Sequence, residues 1–418
     1  METVRLDRDV FQTIAPNGVR ILSERVPSVR SVAVGIWVRS ASVHEPRGQM
    51  GVSHLLEHMV FKGTARRSAQ EIALELEARG GSLDAYTSRD TTAYQARVLD
   101  GDLPRALDVL TDLVRQPALR QVDLDLERNV ILEEINTVQD TPDDLVFDLT
   151  AEALWPEHPY GYSILGTPET VTALSAEHLK RLHERAYYPG NCIIAGAGNL
   201  EHQALVDLAG SLGWLDAPNG SGAPPATPQA QQAKRGLEVR HTKETAQTHI
   251  VLATDTVRFS DPRKYALMAL SSVFGGGMSS RLFQRVREEL GLAYAVYSYS
   301  HFYGQVGVLG TYVGTQPKTA TKALEAIRAE YARLAREGLS PEALDQAKRQ
   351  TQGQLTLTLE SPTSRMYRLA SFAVHGEPYR GLDATLAEIG ALTPERVTEV
   401  ATEFFAPGRQ TLVWLGPN

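Results

Sequence analysis

The sequence predicts an α+β chain of two homologous domains, and three observations carry that expectation. Strand-like and helix-like segments come in clusters rather than in strict alternation, which favours mainly antiparallel sheets with helices packed on one side. Pro, Gly, Ser, Ala and Gln crowd residues 217–236 without apolar periodicity, which is the composition of a linker near the middle of the 418 residues. The stretches that lead to the end of each half also match without a gap. Ala173-Leu174-Ser175-Ala176-Glu177 runs through a helical pattern to Pro189-Gly190 and an apolar strand at 192–195, and Ala391-Leu392-Thr393-Pro394-Glu395 runs through a helix of the same length to Pro407-Gly408 and a strand at 411–415. Starts and prolines both lie 218 residues apart (391 − 173 and 407 − 189), so the chain carries an internal repeat with expected domains at 1–216 and 237–418.

Each element of the first half follows from local pattern. Asn17-Gly18 separates two apolar runs as a hairpin turn does, and residues 32–38 form a short, strongly apolar strand. A helix around 54–61 comes next. Ala69, Ile72, Ala73 and Leu76 mark a second, amphipathic helix that Gly80-Gly81 stops. Residues 83–99, rich in Thr, Tyr, Ala and Val, read as one long strand, and helices follow over 103–114 and 122–138.

Composition removes several classes of function. With 42% apolar and 22% charged residues the balance is that of a soluble globular protein, and a formal net charge of −8 without a basic tract gives no support for nucleic-acid binding. The single cysteine, Cys192, excludes an intrachain disulfide and fits a reducing, cytoplasmic compartment. Residues 1–9 lack an apolar core segment and carry acidic side chains, so neither a secretory signal nor a transit peptide is expected. No run approaches the roughly 18 apolar residues of a membrane helix.

The chemistry is concentrated in His54-Leu55-Leu56-Glu57-His58. Two imidazoles four residues apart on a helix leave the same face about one turn apart, close enough to share one metal ion. Neutral imidazole nitrogens suit zinc, and two of them leave room for a third protein ligand and a water, the open arrangement of a catalytic site. The competing reading is a pair of solvent-facing histidines. Against it, Val52, Leu55, Leu56, Met59, Val60 and Phe61 would bury most of this helix, and buried polar groups need partners. The duplicate sharpens the contrast. Aligning Val60-Phe61-Lys62-Gly63 with Val273-Phe274-Gly275-Gly276 sets Leu267, Leu270 and Ser271 where the first half has His54, Glu57 and His58. A third ligand is expected from Glu127-Arg128-Asn129-Val130-Ile131-Leu132-Glu133-Glu134-Ile135. Helical periodicity puts Glu127, Ile131, Glu134 and Val138 on one face and turns Glu133 toward Leu126 and Val130, without choosing between Glu133 and Glu134.

The H-x-x-E-H order is the inverzincin motif. Followed 76 residues later (134 − 58) by Glu134 within Val130-Ile131-Leu132-Glu133-Glu134-Ile135, it resembles the pitrilysin and insulinase metallopeptidase family, M16, and most closely the short branch that includes mitochondrial processing peptidase and its bacterial relatives. The resemblance covers nearly the whole chain. It implies that His54, His58 and Glu134 bind one zinc ion per chain, that Glu57 is the general base, and that Glu127 supports the site from behind its ligands. It also implies two homologous α+β halves that together form half of a clamshell.

Two further segments extend the likeness. Gly80-Gly81-Ser82-Leu83-Asp84-Ala85-Tyr86-Thr87-Ser88 is similar to the family's edge strand, so Asp84, Ala85, Tyr86 and Thr87 are candidate substrate-binding residues and an extended peptide is expected to lie along 83–94. Asp84 stands where asparagine is usual in the family, and an ionised aspartate donates no hydrogen bond. Val286-Arg287-Glu288-Glu289-Leu290-Gly291-Leu292-Ala293-Tyr294 resembles the family segment that reaches toward the active site. This implies that Arg287 and Tyr294 hold the substrate carbonyl and the oxyanion. Gly275-Gly276-Gly277 reads as a loop or a turn.

The implied activity is that of a zinc-dependent endopeptidase acting on unfolded or short peptides in an enclosed chamber, with precursor processing and degradation of loose peptides as open alternatives. Family members with four such halves enclose substrate in one chain. This chain has two, so its expected partner is a second copy in a homodimer, or a related chain in a heterodimer. Two other readings compete: a non-catalytic core or scaffold subunit of the same fold, and amidohydrolysis of small molecules. A scaffold needs none of His54, Glu57, His58 and Glu134, and the edge-strand segment disfavours small-molecule chemistry.

Overall fold

The computed structural model describes residues 1–218 and 227–417. Residues 219–226 of the linker expected at 217–236 lie outside the described residues, and the described remainder of that span is neither helix nor strand. The chain divides into two compact units, one of residues 1–135, 163–228 and 358–381 and the other of 136–162, 229–357 and 382–418. Each half therefore lends a segment to the unit built mainly by the other.

In the first unit β1 (Glu2–Asp7), β2 (Val10–Ile14), β3 (Arg20–Arg25), β4 (Ser31–Val38), β5 (Ser82–Thr87), β6 (Thr92–Leu99) and β7 (Cys192–Gly198) form one sheet in the order β1-β2-β3-β7-β4-β6-β5. All pairs are antiparallel except β3 with β7. The β2–β3 hairpin turns at Asn17-Gly18, where Gly18 takes φ 86°, a left-handed conformation that glycine adopts without penalty. The run at 83–99 is not the single strand its composition suggests. It folds back at Ser88–Thr91, where the Ser88 N–H donates to the Thr91 carbonyl at 2.8 Å and the Thr91 N–H to Ser88 Oγ at 3.1 Å. Of these two strands only β5 lies at a sheet edge. β6, with Tyr94, is interior, paired to β4 on its other side.

The pleat sorts side chains onto two faces. Val32, Val34, Ile36 and Val38 of β4 join the main core beneath α1 (Val52–Val60), α2 (Ala69–Glu77), α3 (Leu103–Arg115) and α4 (Gln121–Asp140). Ala33 and Trp37 face the other way, where Met366, Leu369, Ala370 and Ala373 of the helix Pro362–Val374 cover them. One helix thus lies on the second face, supplied from the far half of the sequence.

In the second unit β8 (Glu238–Thr242), β9 (Thr248–Thr256), β10 (Ala293–Phe302), β11 (Gly307–Thr315) and β12 (Thr411–Gly416) pair in the order β10-β11-β9-β12-β8, with β12 and β8 parallel. This repeats the order β5-β6-β4-β7-β3 strand for strand, so the duplication read from sequence is also a duplication of topology. The matching helices Ala176–Ala186 and Pro394–Phe404 keep the 218-residue offset at both ends. Gly275 ends the helix Lys264–Gly275 rather than opening a loop, and a Cβ there would fall 2.3 Å from the Ser298 backbone nitrogen. Phe147, in the helix Pro142–Leu154, packs against Tyr299 and Tyr312 of this second sheet.

Candidate metal centre

α1 is set in place from its amino terminus. The buried carboxylate of Glu45 accepts from the Gly51 N–H at 2.9 Å and the Ser53 N–H at 2.8 Å, satisfying helix-end donors that have no partner within the helix. Gly51 takes φ 87° there, and a Cβ would lie 2.5 Å from the Leu165 carbonyl oxygen, so the helix entry requires glycine. Leu55, Leu56, Met59 and Val60 then anchor α1 in the core, leaving His54, Glu57 and His58 on the side that meets α4 and β5.

Glu134 is the residue that completes the set. Its Oε2 lies 3.7 Å from Nε2 of His54 and 3.7 Å from Nε2 of His58. Among the described residues these three form the cluster whose donor atoms all fall within 4.8 Å of one another. Glu133, the alternative that periodicity leaves open, is on the exposed side of α4. Tetrahedral zinc with ligand bonds of about 2.0–2.1 Å spaces its ligand atoms about 3.3 Å apart, so small side-chain movements bring the three into coordination range.

The electrostatics suit a cation, with one ring held neutral and carboxylates gathered around the other. Burial, together with the neighbouring His58, lowers the His54 pKa from 6.5 to about 3, and its Nδ1 is buried without a hydrogen-bond partner. Burial works against charge on His58 as well, but the hydrogen bond between its Nδ1 and Glu127 Oε1 at 2.9 Å and the charges of Glu127, Glu57 and Glu134 raise its pKa. That bond fixes the proton on Nδ1 and leaves the Nε2 lone pair toward Glu134. Burial alone would raise the Glu127 pKa, yet bonds from His58 and Lys62 hold it below its ordinary value. Lys62 is a residue the sequence reading missed, and its only signal was the four-residue spacing from His58.

Glu57 is buried, and burial raises its pKa, although a hydrogen bond from Thr87 Oγ1 to its Oε2 at 2.5 Å favours the charged form. β5 thus meets the site through Thr87, with Ala85 packed on the same side against the main core. Tyr86 points to the opposite face, where its hydroxyl accepts from Trp37 Nε1 at 3.1 Å. Asp84 is exposed and accepts from the Ala85 N–H at 2.9 Å. Arg287 and Tyr294 sit together in the second unit. The guanidinium lies 4.4 Å from the Tyr294 ring centroid and donates to the Tyr294 carbonyl at 2.9 Å from a π-helical turn, Phe283–Glu289, while the tyrosine ring stands exposed.

Comparison with known proteins fixes the family. Residues 20–168 match Insulinase (Peptidase family M16), and residues 173–351 match the Peptidase M16 inactive domain. An uncharacterized zinc protease of Streptomyces coelicolor is 37% identical over 417 residues, spanning 98% of this chain and 90% of its own. An uncharacterized zinc protease of Bacillus subtilis is 39% identical over 389 residues, spanning 93% and 94%. The chain belongs to peptidase family M16. Two solved structures share this M16 fold: a protease from Helicobacter pylori with TM-score 0.91 at 23% identity, covering 98% of this chain and 99% of that one, and the peptidase M16 inactive domain from Pseudomonas fluorescens with TM-score 0.90 at 21%, covering 98% of each. At those identities the likeness is one of fold. The triad of this M16 chain lies within the first family match, and the inactive-domain match covers the stretch that carries Leu267, Leu270 and Ser271 instead. Among its described residues no helix is long and apolar enough to cross a membrane.

Proposed function

We propose that the chain is a zinc-dependent endopeptidase acting on unfolded or short peptides. The observation that carries this reading is a buried carboxylate, Glu57, on the same helix as the two imidazoles of a three-donor cluster. A zinc ion held by His54, His58 and Glu134 would supply Lewis-acid chemistry, polarising a peptide carbonyl and making water a stronger nucleophile at neutral pH. The remaining work falls to side chains. Glu57 takes the proton of the attacking water on a carboxylate oxygen and passes it to the leaving amine nitrogen. Burial raises its pKa, which makes it a stronger base than an exposed carboxylate. Glu127 keeps His58 in the tautomer that presents Nε2.

The substrate class follows from β5. An edge strand offers backbone donors and acceptors to an added strand, so it selects extended chain more than particular side chains. The peptide would lie along β5 only, since β6 is interior. Arg287 and Tyr294 are proposed as donors to the oxyanion. The support is their chemistry and the family likeness, a guanidinium and a phenol held against one another. We take the working form to be a homodimer in the cytoplasm, a compartment with which the buried free thiol of Cys192 is compatible.

The deciding experiment pairs elemental analysis with a digest. Protein grown with ample zinc should hold about one zinc per chain and should cut unstructured peptides while sparing a compact folded protein. Absence of zinc and of cleavage would return the scaffold reading. Light scattering then reads the dimer.

A further inference from the structure

We infer that Thr87 is the positioning residue of the base: its hydroxyl, carried on the strand proposed to receive substrate, holds the Glu57 carboxylate in the orientation the reaction uses. This rests on the peptidase reading and deepens it. Thr87 was a candidate substrate contact, but its Oγ1 is committed to Glu57 Oε2. Among the described residues no other hydrogen bond reaches that carboxylate, so Oε1 is left for a proton from water. A glutamate has three rotatable bonds, and a base that wanders among rotamers spends little time aimed at its target. A hydroxyl donating to a carboxylate is a charge-assisted bond, stronger than a neutral one, and the branched threonine side chain is stiff about χ1 in a strand.

The anchor is itself anchored. Alternation in β5 sends Thr87 and Ala85 toward α1 and sends Tyr86 to the other face. There Trp37 Nε1 donates to the Tyr86 hydroxyl, and the Tyr367 ring lies 6.0 Å from both the Trp37 and the Tyr86 rings. The strand is therefore pinned from both faces in the absence of a peptide. One six-residue element both offers its backbone edge and holds the base, so the register of a bound peptide relative to Glu57 is set by the strand's own covalent structure.

The test compares Thr87→Val, which keeps the shape and removes the hydroxyl, with Thr87→Ser, which keeps the hydroxyl, both zinc-loaded. In Thr87→Val, loss of a hydrogen bond to a charged group should lower kcat by about tenfold to a hundredfold, with KM changed less than about twofold and zinc content at the wild-type level. Thr87→Ser should restore kcat to within about threefold of wild type. Crystal structures should show the Glu57 carboxylate displaced in Thr87→Val and in place in Thr87→Ser. A wild-type kcat in Thr87→Val, equal impairment of the two variants, or a rise in KM alone would overturn the inference. If wild-type protein cuts no peptide, the peptidase reading fails on that result and the crystallographic comparison decides Thr87 by itself: an unmoved Glu57 in Thr87→Val refutes the role. Should Thr87→Val fold poorly, Thr87→Ala takes its place with the same expectations.

Discussion

The helices Val52–Val60 and Lys264–Gly275 hold matching places in duplicated sheets and are about equally buried, yet one carries His54, Glu57 and His58 where the other carries Leu267, Leu270 and Ser271. Both leucines are 0% exposed, and Ser271 hydrogen-bonds to Ser298 at 3.0 Å. The fold thus accepts either solution. Leucine at these positions contributes apolar burial and needs no partner, whereas imidazole and carboxylate there cost desolvation that Thr87, Glu127, Glu134 and the proposed metal would offset. His54, Glu57 and His58 stand where α4 and β5 bring partners to them, which is the arrangement the proposed function needs.

The largest effect should come from removing a ligand. His58→Ala should lose zinc and peptidase activity together, read by elemental analysis and peptide digest. A zinc-replete His58→Ala protein would break the assignment. Glu57→Gln should keep its zinc and lose about 10²–10⁴ in kcat, the usual scale of general-base catalysis. Retained turnover would show that the proton goes elsewhere. Tyr294→Phe should lose about 10²–10³ in kcat at unchanged zinc content if its hydroxyl donates to the oxyanion. An unaltered kcat in the folded, zinc-loaded variant would exclude that role for Tyr294.

Exchanging chemistry between the two helices tests the comparison directly. Leu267→His, which buries an imidazole without a built partner, should destabilise the protein by about 2–3 kcal/mol. His54→Leu should abolish zinc binding while leaving the metal-free protein about as stable as wild type. Thermal melts of chelated samples read both, and equal destabilisation by the two changes would mean that the sites are not distinguished by their partners.

The smallest effect concerns acid. In the metal-free protein the folded pKa of His54 lies below its unfolded value, so between 6.5 and about 3 the unfolded chain binds the additional proton. Stability from this group is full above pH 6.5 and is lost as pH falls toward 3. His58, with a raised pKa, acts in the opposite sense, but its contribution is gained as pH falls toward 6.5 and is already in place below it, so it adds no slope across the His54 window. Chelated wild type should therefore lose melting temperature on acidification more steeply than chelated His54→Leu, and parallel slopes would sink the idea.

Much of this was legible in residue spacing. The repeat, the hairpin at Asn17-Gly18 and the paired histidines are local patterns, and local patterns survive in a string of letters. The break at Ser88–Thr91 was hidden because Thr, Tyr and Ala continue on both sides and no glycine or proline punctuates the turn. Glu133 and Glu134 differ by one helical step of about 100°, so the choice between them depends on where α1 lies against α4, a tertiary fact. Thr87 looked like a contact for substrate because sequence gives the strand and not the direction of a hydroxyl. Likewise the apolar face of Pro362–Val374 announces burial without saying which sheet it covers.

That last helix governs how the polypeptide can be divided. A cut engineered into the linker would give two fragments, each missing a piece of its own core: the amino-terminal one would expose Ala33, Trp37 and Ala93 without Met366, Leu369 and Ala370, and the carboxy-terminal one would lack Phe147 against Tyr299 and Tyr312. Such fragments should be insoluble when made alone and should copurify as a nicked complex when made together. Each half completes the core of the other, so neither can be removed or transplanted by itself.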